Sequence, residues 1–296
     1  MVAERGSGTV LASFGRAALV KSGEAILRCG LLGRKLRVVC GDQVTWVHAS
    51  TADGPSVESV QARRNLIERI DARGRPEAVA ANIDRLAIVA APEPTPDWFL
   101  VDRYWAGAAL KDVDAQLIVN KSDLGTEALQ AQLTEYRHLR LPCIEISTVQ
   151  GSGLAELKTL FAGKVTLLVG QSGVGKSSLV NALAPAAAAQ TAELTRDAEG
   201  RHTTTTARWY VTGEHEAIVD APGVRDFAPP ASLLRAAERG FVEVLERSVN
   251  CRFKDCRHME EPGCAVRSAV LNGLIAPRRY ESYRRLFRLY KSLVNL

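Results

Sequence analysis

Gly170-Gln171-Ser172-Gly173-Val174-Gly175-Lys176-Ser177 decides the fold of this chain. It fits the pattern G-x4-G-K-[ST], follows the apolar run 165–169 and opens a helix-forming stretch over 176–183. Strand, glycine-rich turn and helix in that order are the context a phosphate-binding loop requires. The glycines let consecutive backbone N–H groups wrap a phosphate, and the helix N-terminus faces its charge. Lys176 is placed to reach the β- and γ-phosphates of a nucleotide. The Ser177 hydroxyl is placed to ligate Mg²⁺, with Ser178 beside it in the loop.

Upstream of this loop, strands and helices alternate. The pattern predicts strands over 85–91, 115–120, 143–147 and 165–169, and helices over 97–111, 126–139, 153–161 and 176–183. Such alternation builds a parallel sheet covered on both faces. Two more strands are predicted over 207–212 and 216–219, and Pro229-Pro230 marks a boundary.

Asn120-Lys121-Ser122-Asp123 falls at the end of a predicted strand, where α/β sheets bind ligands. The Asp123 carboxylate can accept two hydrogen bonds, from N1–H and N2–H₂ of guanine. Adenine lacks those donors and would leave the carboxylate unpaired, at a cost of several kcal/mol. Asn120 is expected on the other base edge and Lys121 across the ring. The tetrapeptide is the guanine-reading element of GTPases, which in most of them follows the phosphate loop. Here it precedes the loop, so the chain looks like a circularly permuted GTPase.

Other elements fit that order. Ser147-Thr148 stands where a small loop touches the guanine O6, with Thr in place of the commoner Ala. Asp220-Ala221-Pro222-Gly223 fits D-x-x-G, with Asp220 holding Mg²⁺ through water and the Gly223 N–H sensing the γ-phosphate. Val224 follows where many GTPases carry a water-orienting Gln, so intrinsic hydrolysis is expected to be slow. Gly200-Arg201-His202-Thr203-Thr204-Thr205-Thr206 is the candidate switch I: Thr204 or Thr205 would cover Mg²⁺. His202 is either a surface histidine or the group that positions the attacking water.

The flanks differ from this centre. Residues 1–70 predict short strands over 9–14, 17–20, 25–29, 35–39 and 43–48. That spacing suggests a small barrel, which fits an OB-type fold that binds single-stranded nucleic acid or an SH3-like one used for packing. Residues 61–76 read as a basic linker, 76–228 as the GTPase domain and 229–296 as a helical module. In that module Cys251, Cys256, His258 and Cys264 supply three thiolates and an imidazole, the ligand set of a closed structural zinc site. Cys29, Cys40 and Cys143 lie in strand-like runs and read as core. In the final helix, over 277–294, Tyr280, Tyr283, Phe287 and Tyr290 form a packing stripe, and the arginines are read as RNA contacts.

The formal net charge of +5 is unevenly spread. Residues 1–75 carry 12 Lys/Arg against 7 Asp/Glu, 76–228 carry 13 against 19, and 229–296 carry 13 against 7. Two basic flanks around an acidic centre suggest a large polyanion, RNA, as partner. No apolar run reaches the roughly 18 residues of a membrane helix. The start of the chain lacks a signal-peptide core, and clustered Cys without one argues for the reducing cytoplasm. A monomer is expected.

With the base motif, the permuted loop, Gly200–Thr205 and the run from Cys251 to Val266 in hand, the chain resembles the ribosome small subunit-dependent GTPase A family of bacteria. The likeness extends from Gly41-Asp42-Gln43-Val44 through Ala81-Asn82-Ile83-Asp84 to Arg279-Tyr280-Glu281-Ser282-Tyr283. It implies a multidomain α/β protein: an N-terminal OB-fold barrel, a permuted GTPase domain and a C-terminal zinc-binding helical domain. It implies GTP/GDP, Mg²⁺ and one structural Zn²⁺ as cofactors. It implies binding to the small (30S) ribosomal subunit and its 16S rRNA, action late in maturation, and subunit-stimulated hydrolysis with His202 as the catalytic group. The alternatives are a GTP-switched RNA-binding scaffold with another activating partner and a P-loop kinase or ATPase in which the Asn-Lys-Ser-Asp match is coincidental.

Overall fold

Strand-forming runs dominate the first sixty positions, and they close on themselves. In the computed structural model of the chain, described over residues 4–48, 54–70, 75–189, 207–213, 215–221 and 238–294, five strands form a barrel. They are β1 (Glu4–Phe14), β2 (Ala17–Ser22), β3 (Ala25–Leu31), β4 (Gln43–His48) and β5 (Ser56–Val60), in the closed order β1-β2-β3-β5-β4. Val10, Val20, Cys29, Val44, Trp46 and Val57 fill its interior.

The strand expected over 35–39 is not formed. Residues 36–39 pair with no strand, and the Val39 N–H donates to the buried Asp42 carboxylate at 2.8 Å. A side chain has taken the donor that a ladder would need, and β5 closes the barrel instead. The expected linker over 61–76 is also corrected. It contains β6 (Leu66–Ile70), which forms a hairpin outside the barrel with β7 (Pro76–Ala81). Among the described residues several of its charges are paired: Arg63 grips Asp42 at 2.6 Å, Arg64 meets Asp84 at 2.6 Å and Glu68 meets Lys111 at 3.1 Å. Ile67, Ala80 and Ala81 are buried beneath them.

The central sheet has the order β10-β9-β8-β11-β13-β12. Its strands are β8 (Arg85–Ala90), β9 (Asp114–Val119), β10 (Cys143–Glu145), β11 (Val165–Gly170), β12 (Arg208–Gly213) and β13 (Glu216–Asp220). All neighbours run parallel except β12, which is antiparallel to β13. Helices α1 (Trp98–Leu110) and α2 (Gln130–His138) cover one face, and α3 (Leu154–Phe161) and α4 (Lys176–Leu183) cover the other. Along β8, Leu86 and Ile88 point to the first layer and Ala87 and Val89 to the second. Burial on both faces is why these strands read as unbroken apolar runs.

Helices α5 (Val242–Ser248), α6 (Ala265–Leu271) and α7 (Pro277–Val294) pack around Phe241, Val244, Val266, Ile275, Tyr283 and Leu286. They dock on α1. Gly240 lies so close that a Cβ there would fall 2.2 Å from Ala106 Cα. Beside it Arg279, fully buried, donates to Asp102 at 2.6 Å and to Glu243 at 2.7 Å. Arg278 pairs with the other Asp102 oxygen at 2.9 Å and with Glu135, while the Tyr136 hydroxyl donates to Asp102 at 2.6 Å. Arg279 is therefore closed to RNA by burial, and Arg278 is largely committed to carboxylates. Their charges are consumed inside the protein, because Asp102, Glu135 and Glu243 would otherwise face the low-dielectric seam unpaired.

Candidate functional site

The sheet sets β11, β8 and β9 side by side, and their C-terminal ends deliver the loops that bind. After β11, the phosphate loop turns at Gly170, whose φ of +145° and close approach to Val89 leave no room for a side chain: a Cβ would sit 2.2 Å from the Val89 carbonyl oxygen. Gly175 is as constrained. Its φ is +96° and a Cβ would fall 2.3 Å from Asn120 Nδ2. Val174 is buried beneath the loop. The Lys176 ammonium donates to the carbonyls of Gly170 and Gln171 at 2.9 and 2.7 Å, folded over the cradle it would share with phosphate. Ser177 and Ser178 occupy the first turn of α4. Ser172 and Gly173 form the crest of the loop, the latter beside Pro94.

The Gln171 side chain ties the loop sideways. Its Oε1 accepts from Asp97 N–H at 2.8 Å and its Nε2 donates to the Thr95 carbonyl at 3.3 Å. Asp97 caps α1, accepting from the N–H groups of Phe99 and Leu100. Lys121 reaches the same segment, donating to the Glu93 carbonyl at 2.8 Å from a left-handed backbone with φ +59°.

Asn120 joins the two motifs. It is fully buried, its Nδ2 donates to the Val174 carbonyl at 3.0 Å, and its Oδ1 accepts from Thr148 N–H at 3.2 Å. The phosphate loop, the base loop and the Ser147-Thr148 loop thus share one amide. Ser122 N–H donates to Ile146 at 3.0 Å, and the Ser147 hydroxyl donates to Asp123 Oδ1 while accepting from Gln150 N–H at 3.1 Å. A carboxylate held this way leaves acceptor capacity for paired donors on a ligand.

Asp220 ends β13, next to the phosphate loop strand. Burial pushes its carboxyl above the ordinary value, with Lys176 and Arg208 pulling the other way. His202, Thr204, Thr205 and Gly223 lie outside the described residues.

The second cluster is in the C-terminal helices. Cys251, Cys256, His258 and Cys264 bring their ligand atoms within 4.8 Å of one another. Cys251 Sγ and Cys264 Sγ are 3.9 Å apart, and each is 3.5 Å from His258 Nδ1. Tetrahedral zinc, with bonds of about 2.3 Å to sulfur and about 2.0 Å to nitrogen, sets ligand separations of roughly 3.5–3.8 Å. The residues fit that ion. His258 sits at φ +60°, a conformation held by Tyr280 and Tyr283, whose hydroxyls donate to the His258 and Arg257 carbonyls at 2.6 and 3.1 Å. The Glu261 carboxylate accepts from the N–H groups of Arg257, Met259 and Glu260. Sequence reasoning gave Glu261 no role, although a Glu before Pro-Gly inside a ligand cluster was the available signal. It also missed Gln171's tie to α1, for which the sequence holds no signal.

By contrast, Cys29 and Cys40 are buried, and burial raises both thiols. They are core residues, as read from the sequence.

A phosphate loop after β11 and a guanine-type base loop after β9, on the two strands that flank β8 and in reversed chain order, define a circularly permuted GTPase. Comparisons with known proteins agree. A family model described as RsgA GTPase matches residues 60–229. The small ribosomal subunit biogenesis GTPase RsgA of Pseudomonas aeruginosa (strain LESB58) is 40% identical over 286 residues, covering 95% of this chain and 84% of its own. YjeQ from Thermotoga maritima superposes with a TM-score of 0.74 at 28% identity, over 97% of this chain and 99% of its own. YloQ, a circularly permuted GTPase, shares the fold with a TM-score of 0.71 at 24% identity, over 98% and 96%. The chain belongs to the RsgA GTPase family and is a GTP hydrolase.

Proposed function

We propose that this GTPase binds the small ribosomal subunit during its biogenesis, contacts 16S rRNA, and hydrolyses GTP on stimulation by that subunit. The observation that carries the reading is the Asn120 bracket, which makes one nucleotide site from two motifs in permuted order, in a chain close to small-subunit biogenesis GTPases. Three units divide the work at 1–70, 76–228 and 229–296, with the β6–β7 hairpin as the seam between the first two. The barrel and the helical module supply basic surfaces for RNA, and the protein acts as a cytoplasmic monomer. Among the described residues no helix is long and apolar enough to cross a membrane.

In the site, Asp123 selects guanine, Lys121 packs on the ring, and Ser147 and Thr148 line the O6 side. Ser122 holds the base loop to Ile146. Backbone N–H groups from Gly170 to Ser178 receive the phosphates, and Lys176 leaves its carbonyl partners to counter charge growing on the transferred group. Mg²⁺, held by Ser177 and through water by Asp220, would neutralise the β- and γ-oxygens, with Thr204 or Thr205 covering it. Gly223 N–H senses the γ-phosphate and His202 orients the water that attacks it. Zinc held by Cys251, Cys256, His258 and Cys264 would be structural, stabilising the helical module.

GTP hydrolysis by the purified protein is the test, alone and with small or large ribosomal subunits. Strong stimulation by the small subunit alone supports the reading. Stimulation by neither, with GTP still bound, overturns the ribosomal partner and leaves a GTPase switched by another.

A further inference from the structure

If zinc binds through His258 Nδ1, the proton of that imidazole must reside on Nε2. Nε2 is fully enclosed, in a residue only 1% exposed, and makes no hydrogen bond of good geometry. A buried donor in that state is costly unless an acceptor is supplied. One carboxylate stands at hand. Glu238 Oε1 lies 3.3 Å from Nε2, the ring nitrogen other than the one that meets the Cys251 and Cys264 thiols.

Glu238 is held there by its neighbours. Phe241 N–H donates to the Glu238 carbonyl at 2.9 Å. The Gly240 carbonyl accepts from buried Arg279 at 3.3 Å, and Gly240 itself lies against Ala106 of α1. The backbone beside Glu238 is thereby held against α1 and α7.

We propose that Glu238 is the positioning residue of the metal cluster. It accepts the His258 Nε2 proton, fixes the Nδ1 tautomer toward the thiolates and strengthens the imidazole as a zinc ligand. Carboxylate–histidine–metal relays of this kind act through the ligand, and losing the outer partner costs about 10–100-fold in metal affinity. Glu238 does not bind the metal itself, because it faces the other ring nitrogen. The inference rests on the zinc reading of the four ligands.

Zinc content and zinc affinity, by competition with a chromophoric chelator on the full-length protein, test it. Unmodified protein carrying no tightly bound zinc would remove the zinc reading and this inference with it. With zinc bound, Glu238→Ala is expected to weaken affinity about 10–100-fold. Glu238→Gln, whose amide oxygen still accepts from Nε2–H, is expected to recover most of that loss. Arg239→Ala, which breaks the adjoining pair with Asp112, controls for local structure and is expected to leave zinc affinity unchanged. Unchanged affinity in Glu238→Ala overturns the proposal, and so does an equal loss in Arg239→Ala. If Glu238→Ala fails to fold, the Gln variant and a Glu238→Asp variant decide the matter. Asp withdraws the carboxylate by one methylene and is expected to bind zinc more weakly than Gln, whereas equal affinities would overturn the assignment.

Discussion

The nucleotide cradle and the seam between α1 and α7 are both built from polar side chains, yet they relate to the sequence in opposite ways. In the cradle each function sits in a run of four to eight neighbouring positions, because one turn of backbone must wrap one phosphate or one base edge. The seam gathers Asp102, Glu135, Tyr136, Glu243, Arg278 and Arg279 from four separate stretches of chain. Nothing local in Pro-Arg-Arg-Tyr tells a buried guanidinium from a solvated one. A contiguous motif reports chemistry, whereas a lone charge reports nothing until its partner is known.

Three substitutions press on that contrast. The largest effect is expected in the seam. Asp102→Ala leaves Arg279 buried without its anionic partner and should lower stability by about 3–5 kcal/mol, read from urea unfolding. A loss below about 1 kcal/mol would mean that water reaches the arginine and the seam is an ordinary surface. Next comes the cradle. Asn120→Ala removes the bonds to Val174 and Thr148 and should weaken nucleotide binding by about 1–3 kcal/mol. Titration calorimetry with GDP would show it, and unchanged affinity would mean the loops keep their register without the bracket. The smallest effect belongs to the barrel surface. Arg5 and Glu58 pair at 3.3 Å with both side chains well exposed, so Arg5→Ala should cost under about 1 kcal/mol. A larger loss in thermal unfolding would break the rule that exposed pairs here matter little.

Legibility followed the same division. The order of strands and helices from Arg85 to Leu183 could be read because two-sided burial writes continuous apolar runs. The Cys251, Cys256, His258 and Cys264 cluster could be read because soft donors crowd into fourteen positions. The barrel could be read only as short strands. Its closing strand was misplaced because Leu36–Val39 is as apolar as a strand, and the Asp42 carboxylate that claims the Val39 N–H is invisible in a hydropathy pattern. Strand β6 reads as part of a linker because Arg63, Arg64 and Arg69 look unpartnered until Asp42, Asp84 and Glu77 are brought beside them. Gln171 and Lys121 read as nucleotide contacts, and both also hold the segment from Glu93 to Asp97 that begins α1.

The central claim is that Asn120–Asp123 and Gly170–Ser177 form one guanine-selective site despite their reversed order. Equilibrium binding of GTP and ATP to the native protein and to Asp123→Asn tests it most directly. The account predicts that the native protein prefers GTP by about 100-fold or more, and that Asp123→Asn loses most of that preference while leaving ATP binding unchanged. Equal affinity of the native protein for the two nucleotides would contradict it.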